Sequence, residues 1–202
     1  MNLDEIAKEI METLDAKEAV REEALRISRA VVRGCKSAIR AVVEGRDASE
    51  ILTVVEGELR QVKALTAPHP EIEHAGYVAD ACREYVEAVV LRAIVSSTPL
   101  PTPRALGVSE GSYIEGVGDA IGELRRIFLS AVIEGDLDRA KGLLAAMESL
   151  YEFLLVFDYP SAMVGVRRKQ DVARGILERS RGEMAVAVRT MELERALEAR
   201  SV

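Results

Sequence analysis

From residue 3 to residue 43 the apolar positions recur in three- and four-residue steps: Leu3, Ile6, Ile10, Leu14, Val20, Leu25, Val32, Cys35, Ile39 and Val42. That spacing keeps returning to one side of a 3.6-residue helix, so it predicts one long amphipathic helix. Gly45 supplies a left-handed stop. Asp47, with Glu50 three residues on, has capping-box spacing and predicts a second helix with Ile51, Leu52, Val55, Leu59 and Val62 on its apolar side. TAPHP (66–70) closes it, because proline cannot continue a helix and restricts the residue before it. Pro70 suits the first position of a third helix, predicted to run to about Ser97. SSTPLPTPRALG (96–107) reads as a loop. Ser112 and Glu115 again have capping-box spacing. They predict a fourth helix to about Glu134, with Tyr113, Val117, Ile121, Leu124, Phe128 and Val132 on one face. Gly135 and Asp136 make a stop and a cap into a fifth helix carrying Leu137, Leu143, Leu144, Met147, Leu150, Tyr151 and Leu154. FDYPS (157–161) breaks it. A last helical stretch is expected over about 161–199, with Gly165, Gly175 and Gly182 as its candidate bends.

No alternating strand pattern and no fixed repeat occurs. The pattern predicts an all-α fold, a single-domain bundle of six or seven helices over 1–202. For the tail from about residue 185, periodicity does not choose between a flexible end and a subunit contact.

Composition supports this picture. The 202 residues are long enough to bury a core without staples. Hydrophobic residues are 49% and charged residues 30%, which suits a globular chain. Cys35 and Cys82 sit far apart inside helical patterns and read as buried reduced thiols, with no CxxC spacing to suggest zinc. No window approaches the ~18 uncharged apolar residues of a membrane span. The acidic, amphipathic N-terminus has no signal-peptide pattern. A cytoplasmic protein is expected. The net charge of -7 argues against a general nucleic-acid coat and leaves local basic surfaces open.

Two acidic pairs stand out. Glu84 and Glu87 interrupt the apolar run REYVEAVVLRAIV (83–95), three residues apart and therefore on one helix face. Asp119 and Glu123 are four apart on the fourth helix, with Glu115 extending the column and Arg126 offering local relief. With 34 acidic residues in the chain, either pair alone suits a solvated face. The first is harder to explain so, because its stripe continues into Leu91 and Ile94 and a buried glutamate without a partner is costly. If the two helices face each other, the carboxylates converge. Two unit charges ~4 Å apart repel by about 4 kcal/mol at an effective dielectric of ~20, so such a cluster needs a cation. Oxygen-only ligands select hard ions such as Mg²⁺ or Mn²⁺. A redox di-iron bundle would need Glu-x-x-His on two helices. Glu71 to His74 is one such spacing, and His69 cannot complete the second.

Basic residues are grouped as well. Residues 1–25 hold eight acids and three bases, whereas 26–43 hold Arg26, Arg29, Arg33, Lys36 and Arg40 and no acid. Arg29, Arg33, Lys36 and Arg40 form one stripe. Residues 166–184 hold Arg167, Arg168, Lys169, Arg174, Arg179 and Arg181 against three acids. Such stripes either track phosphates or pair with acids across helix contacts.

The order of EYVEA, YIEGVGDAIGELRR, EGDLDRA and the terminal DYP…GVRRKQDVARG…RGEM resembles the translin/Trax family over about residues 75–184. The resemblance implies an all-α subunit of about seven helices, a hollow homo-oligomer, usually an octamer, and binding of single-stranded RNA or DNA. In the Trax branch it implies a metal-dependent endoribonuclease. The acids of that branch fall on Glu84, Glu87, Asp119 and Glu123, all acidic here. The implied role of these four is to hold Mg²⁺ or Mn²⁺, with the glutamates facing a wet cavity. A translin-like partner subunit is a further expectation of the family. The loop between the acidic helices is short and no histidine-rich segment is present. The candidate nucleic-acid contacts, Arg29, Arg33, Lys36, Arg40, Arg167, Arg168 and Lys169, therefore rest on local charge alone. The alternatives are a non-catalytic translin-type binder and an adaptor bundle that binds no nucleic acid.

Overall fold

The computed structural model of the chain describes residues 2–160 and 164–199. Among them are eight helices and no strand: α1 (Leu3–Val43), α2 (Ser49–Thr66), α3 (Pro70–Glu73), α4 (Gly76–Val95), α5 (Pro103–Leu106), α6 (Glu110–Ile133), α7 (Leu137–Leu155) and α8 (Val166–Glu198). Six are long, and α3 and α5 are single turns.

The long first helix has the predicted bounds. Asn2 and Glu5 form a reciprocal capping box at its start, and Gly45 takes φ 73° just past its end. Its stripe divides in two. From Ala24 onward it is core, whereas Leu3, Ile10, Met11 and Leu14 are exposed, so the first turns overhang the bundle.

The predicted third helix is interrupted. His74 closes α3, Ala75 is extended (φ -66°, ψ 143°), and Gly76 opens α4. The predicted loop contains α5: Thr102 caps it, Pro103 occupies its first position and Gly107 ends it at φ 63°. Ser109, not Ser112, caps α6, its hydroxyl accepting from Ser112 N at 3.2 Å. At α2 the N-cap position is Ala48. Asp47 sits one residue before it and accepts from Ser49 N at 3.0 Å. α8 is unbroken through Gly175 and Gly182 and stays helical to Glu198. Residue 161 of the predicted FDYPS break lies outside the described residues.

The helices pack in sequence order around one core. α1 pairs with α2, α4 lies against α1 and α6, and α7 and α8 cover the other side of α6. Leu91, Ile121, Leu124, Ile127, Phe128, Met147, Leu154 and Leu177 are fully enclosed, each burial stabilising by about 1.5–3 kcal/mol. Cys35 and Cys82 are free and buried. Arg125 fastens α6 to α8, donating to Ser180 Oγ and Glu183 Oε1, each at 2.7 Å. No helix among the described residues is long and apolar enough to cross a membrane.

Candidate carboxylate site and basic surface

Glu84 and Glu87 leave α4 on one side. Asp119 and Glu123 leave α6 on the side turned toward it. What allows the two helices so close is Gly116: a Cβ there would stand 2.6 Å from the Arg83 carbonyl oxygen and 2.7 Å from Val86 Cβ. That contact makes the two acid-bearing helices immediate neighbours. Glu87 is driven to hold its proton up to about pH 8, first by burial and then by the charges of Asp119, Glu84 and Glu123. Burial, reinforced by Glu84 and Glu87, also pushes the Cys35 thiol far above its ordinary range.

Glu84, Glu87 and Glu123 stand in the wall of a cavity of about 580 Å³ between α1, α4 and α6. Lys36, Arg40 and Arg126 stand in the same wall, with Ile39 and Val43. The predicted stripe of α4 therefore serves two purposes. Ala88 and Leu91 are sealed in the core, while the glutamates meet a polar hollow.

Each acid finds different company. Glu123 is paired with Arg126, the local partner expected from sequence, at 2.9 Å. Asp119 receives Lys169 Nζ from α8 and lies 3.8 Å from Arg83 Nε. Glu115, one turn before Asp119, accepts from Gly165 N at 3.2 Å and so faces the start of α8. Lys169 and Arg83 as partners of Asp119 were missed by sequence reasoning. The available signal was Gly118, whose missing side chain makes room for the Lys169 stem.

Four carboxylates on facing helices form an oxygen-only donor set suited in chemistry to a hard divalent ion. As placed here Asp119 and Glu123 are paired with protein cations. Among the described residues no group of three or more His, Cys, Asp or Glu side chains is close enough to hold a metal. The Glu71–His74 pair takes no part, since Glu71 is exposed and bound to Lys17 at 2.6 Å.

The basic stripe of α1 is intact. Arg29, Arg33, Lys36 and Arg40 are exposed and make no ion pair or hydrogen bond among the described residues. Its last two members lead into the cavity of the acids. Arg168 is also exposed and unpaired among the described residues, and Arg167 is exposed beside Asp158 at 3.2 Å. Lys169 departs from the expectation of an outward phosphate contact: its side chain is 17% exposed and turned onto Asp119.

No protein-family model matches the chain. An uncharacterized protein of Methanocaldococcus jannaschii is 35% identical over 182 residues, covering 90% of this chain and 82% of that protein. The solved AfC3PO–duplex RNA complex is 33% identical, with a TM-score of 0.85, covering 91% of this chain and 97% of that one. The chain belongs to the translin/Trax family. Apo-NeC3PO, at 23% identity and a TM-score of 0.79, has the same fold. In this translin/Trax chain the four acids singled out from the sequence are Glu84, Glu87, Asp119 and Glu123. They lie on the two helices that Gly116 brings into contact.

Proposed function

We propose that this protein is a Mg²⁺- or Mn²⁺-dependent endoribonuclease that binds single strands of RNA, and of DNA, as a homo-oligomer. The observation that carries the reading is the placing of Glu84, Glu87 and Glu123 in the wall of one cavity, which the unpaired basic stripe of α1 enters through Lys36 and Arg40. Glu84, Glu87, Asp119 and Glu123 would hold the ion. When bound, it would supply charge stabilisation at a phosphodiester and make water a better nucleophile. Arg29, Arg33, Lys36 and Arg40 hold the strand by its phosphates along α1 and deliver it toward the cavity, with Arg167 and Arg168 as further contacts. One of the four carboxylates would take a proton from the attacking water. Attack by water leaves the RNA 2′-hydroxyl without a required role.

RNA as the ligand is supported by the duplex RNA held in the AfC3PO complex. Assembly is supported by an apolar groove of about 750 Å³ along α8, lined by Val132, Leu137, Val186, Ala187 and Met191, with Ile133 exposed nearby. An octamer is the family expectation, and a translin-like partner subunit a further one.

Labelled single-stranded RNA, incubated with Mn²⁺ with and without chelator, tests the activity. Wild type cleaves only with metal, and Glu87→Ala or Asp119→Ala abolishes cleavage while leaving folding and strand binding in place. Equal cleavage by wild type and both variants would remove the site assignment. A non-catalytic translin-type binder is the second reading, favoured by the engagement of Asp119 with Lys169 and Arg83. It predicts strand binding with no metal-dependent cleavage.

A further inference from the structure

The cation inside the acidic cluster belongs to the protein itself. Lys169 reaches across from the first turn of α8, and its ammonium donates to Asp119 Oδ1. Its seat is built rather than incidental. The stem lies against Gly118 of α6, where a Cβ would stand 2.9 Å from Lys169 Cβ, 3.1 Å from Cγ and 3.2 Å from Cδ. Any larger residue at 118 would have to move the lysine. The neighbours Arg167 and Arg168 point to solvent, so the inward turn is particular to Lys169.

The groups around the ammonium are accounted for. Asp119 is its hydrogen-bond partner, and Arg83 approaches the other Asp119 oxygen at 3.8 Å. From α4, Glu87 feels both Asp119 and Lys169, and Glu84 and Glu123 complete the negative field on Glu87. A divalent ion drawing on Asp119 would meet a unit positive charge already bonded to the carboxylate it needs. Asp119 Oδ1 cannot serve both at full strength, and the two cations repel at contact distance.

We propose that Lys169 is the resident counter-ion of this site and exchanges with the divalent ion on Asp119. Metal-free, the Lys169–Asp119 pair ties α8 to α6 and keeps Asp119 from standing uncompensated. Metal-loaded, the ammonium leaves Asp119. Lys169 thus sets the metal affinity weaker than the four acids alone would give. It is a positioning residue for Asp119, and the inference rests on the reading of the acids as a metal site.

The test is Mn²⁺ binding to the full chain, read from the loss of the free-ion electron paramagnetic resonance signal. Wild type is compared with Lys169→Met, Lys169→Gln, Lys169→Arg and Asp119→Asn. Lys169→Met and Lys169→Gln are expected to bind Mn²⁺ about tenfold more tightly or better, since each removes a competing unit charge. Lys169→Arg keeps the charge and is expected to bind as wild type does. Asp119→Asn is expected to weaken binding. The thermal midpoint of Lys169→Met should fall in chelator and rise more with added Mn²⁺ than that of wild type. Mn²⁺ affinity unchanged or weakened in both neutral variants overturns the exchange and leaves the metal site standing. Absence of Mn²⁺ binding in wild type and in Lys169→Met overturns both. A role in packing alone would not sort the variants by charge.

Discussion

Replacing Gly116 by alanine tests the contact that brings the two acid-bearing helices together. The added methyl would meet the Arg83 carbonyl oxygen at 2.6 Å, Val86 Cβ at 2.7 Å and Val86 Cγ1 at 2.9 Å. One of these is backbone, so α4 and α6 must separate by several tenths of an ångström. Overpacking of this kind costs about 1–3 kcal/mol. Alanine is also the better helix former by about 1 kcal/mol, which offsets part of the loss. Gly122 lies on the same helix with nothing within 4 Å of its added Cβ. Gly122→Ala therefore gains the propensity alone. Subtracting one variant from the other cancels propensity and leaves the steric cost, so Gly116→Ala should be the less stable by about 1–3 kcal/mol. Urea unfolding of both variants at equal protein concentration measures it. Equal stabilities, or Gly116→Ala the more stable, would refute the close approach.

Two further outcomes follow from the charges. Glu87 keeps its proton to about pH 8 in the folded chain, against 4.5 ordinarily. Between those values the folded state holds a proton that the unfolded state has released. Its contribution is therefore full below pH 4.5 and is lost as pH rises toward 8, by up to a few kcal/mol. Glu87→Gln should flatten that fall in thermal midpoint, and an unchanged profile would exclude Glu87 as its source. In the α1 stripe, Arg33→Ala or Arg40→Ala should weaken binding of a single-stranded RNA, with the salt slope reduced by about 0.7 for each phosphate no longer neutralised. A gel-shift salt titration with an unaltered slope would place the strand elsewhere.

Local chemistry made the helices readable. α1 announced its length through an uninterrupted three- and four-residue rhythm and its end through Gly45. Asp136 likewise marked the start of α7, accepting from Arg139 N at 3.1 Å. The errors arose where two local signals competed. Ser112 and Ser109 both precede an apolar run, and the chain uses the earlier one. Thr102-Pro103 with Gly107 carried the full start-and-stop chemistry of α5, yet was swamped by the surrounding prolines. Gly76 marked the interruption before α4, but the apolar stripe continues across it. Gly175 and Gly182 cost helix propensity without interrupting α8, whose flanking residues such as Ile176, Leu177 and Met184 are held in the core.

The pairing of the acids was half legible. Three- and four-residue spacing fixes Glu84 with Glu87 and Asp119 with Glu123 on their own faces, and Arg126 with Glu123. That the faces meet depends on Gly116, whose role becomes visible only when α4 lies against it. The partner of Asp119 was beyond sequence reasoning, because Lys169 lies 50 residues away and within a run of bases that otherwise points outward. Charge composition assigned Lys169 to phosphate, and tertiary packing gave it to an acid instead.

Pooling of the α4 and α6 carboxylates around a hard divalent ion is tested most directly by anomalous scattering from a crystal soaked in Mn²⁺. A manganese peak is expected between the two helices, with Glu84, Glu87, Asp119 and Glu123 as its protein ligands and Lys169 displaced from Asp119. A soaked crystal with no peak there, and Lys169 still seated on Asp119, would contradict it.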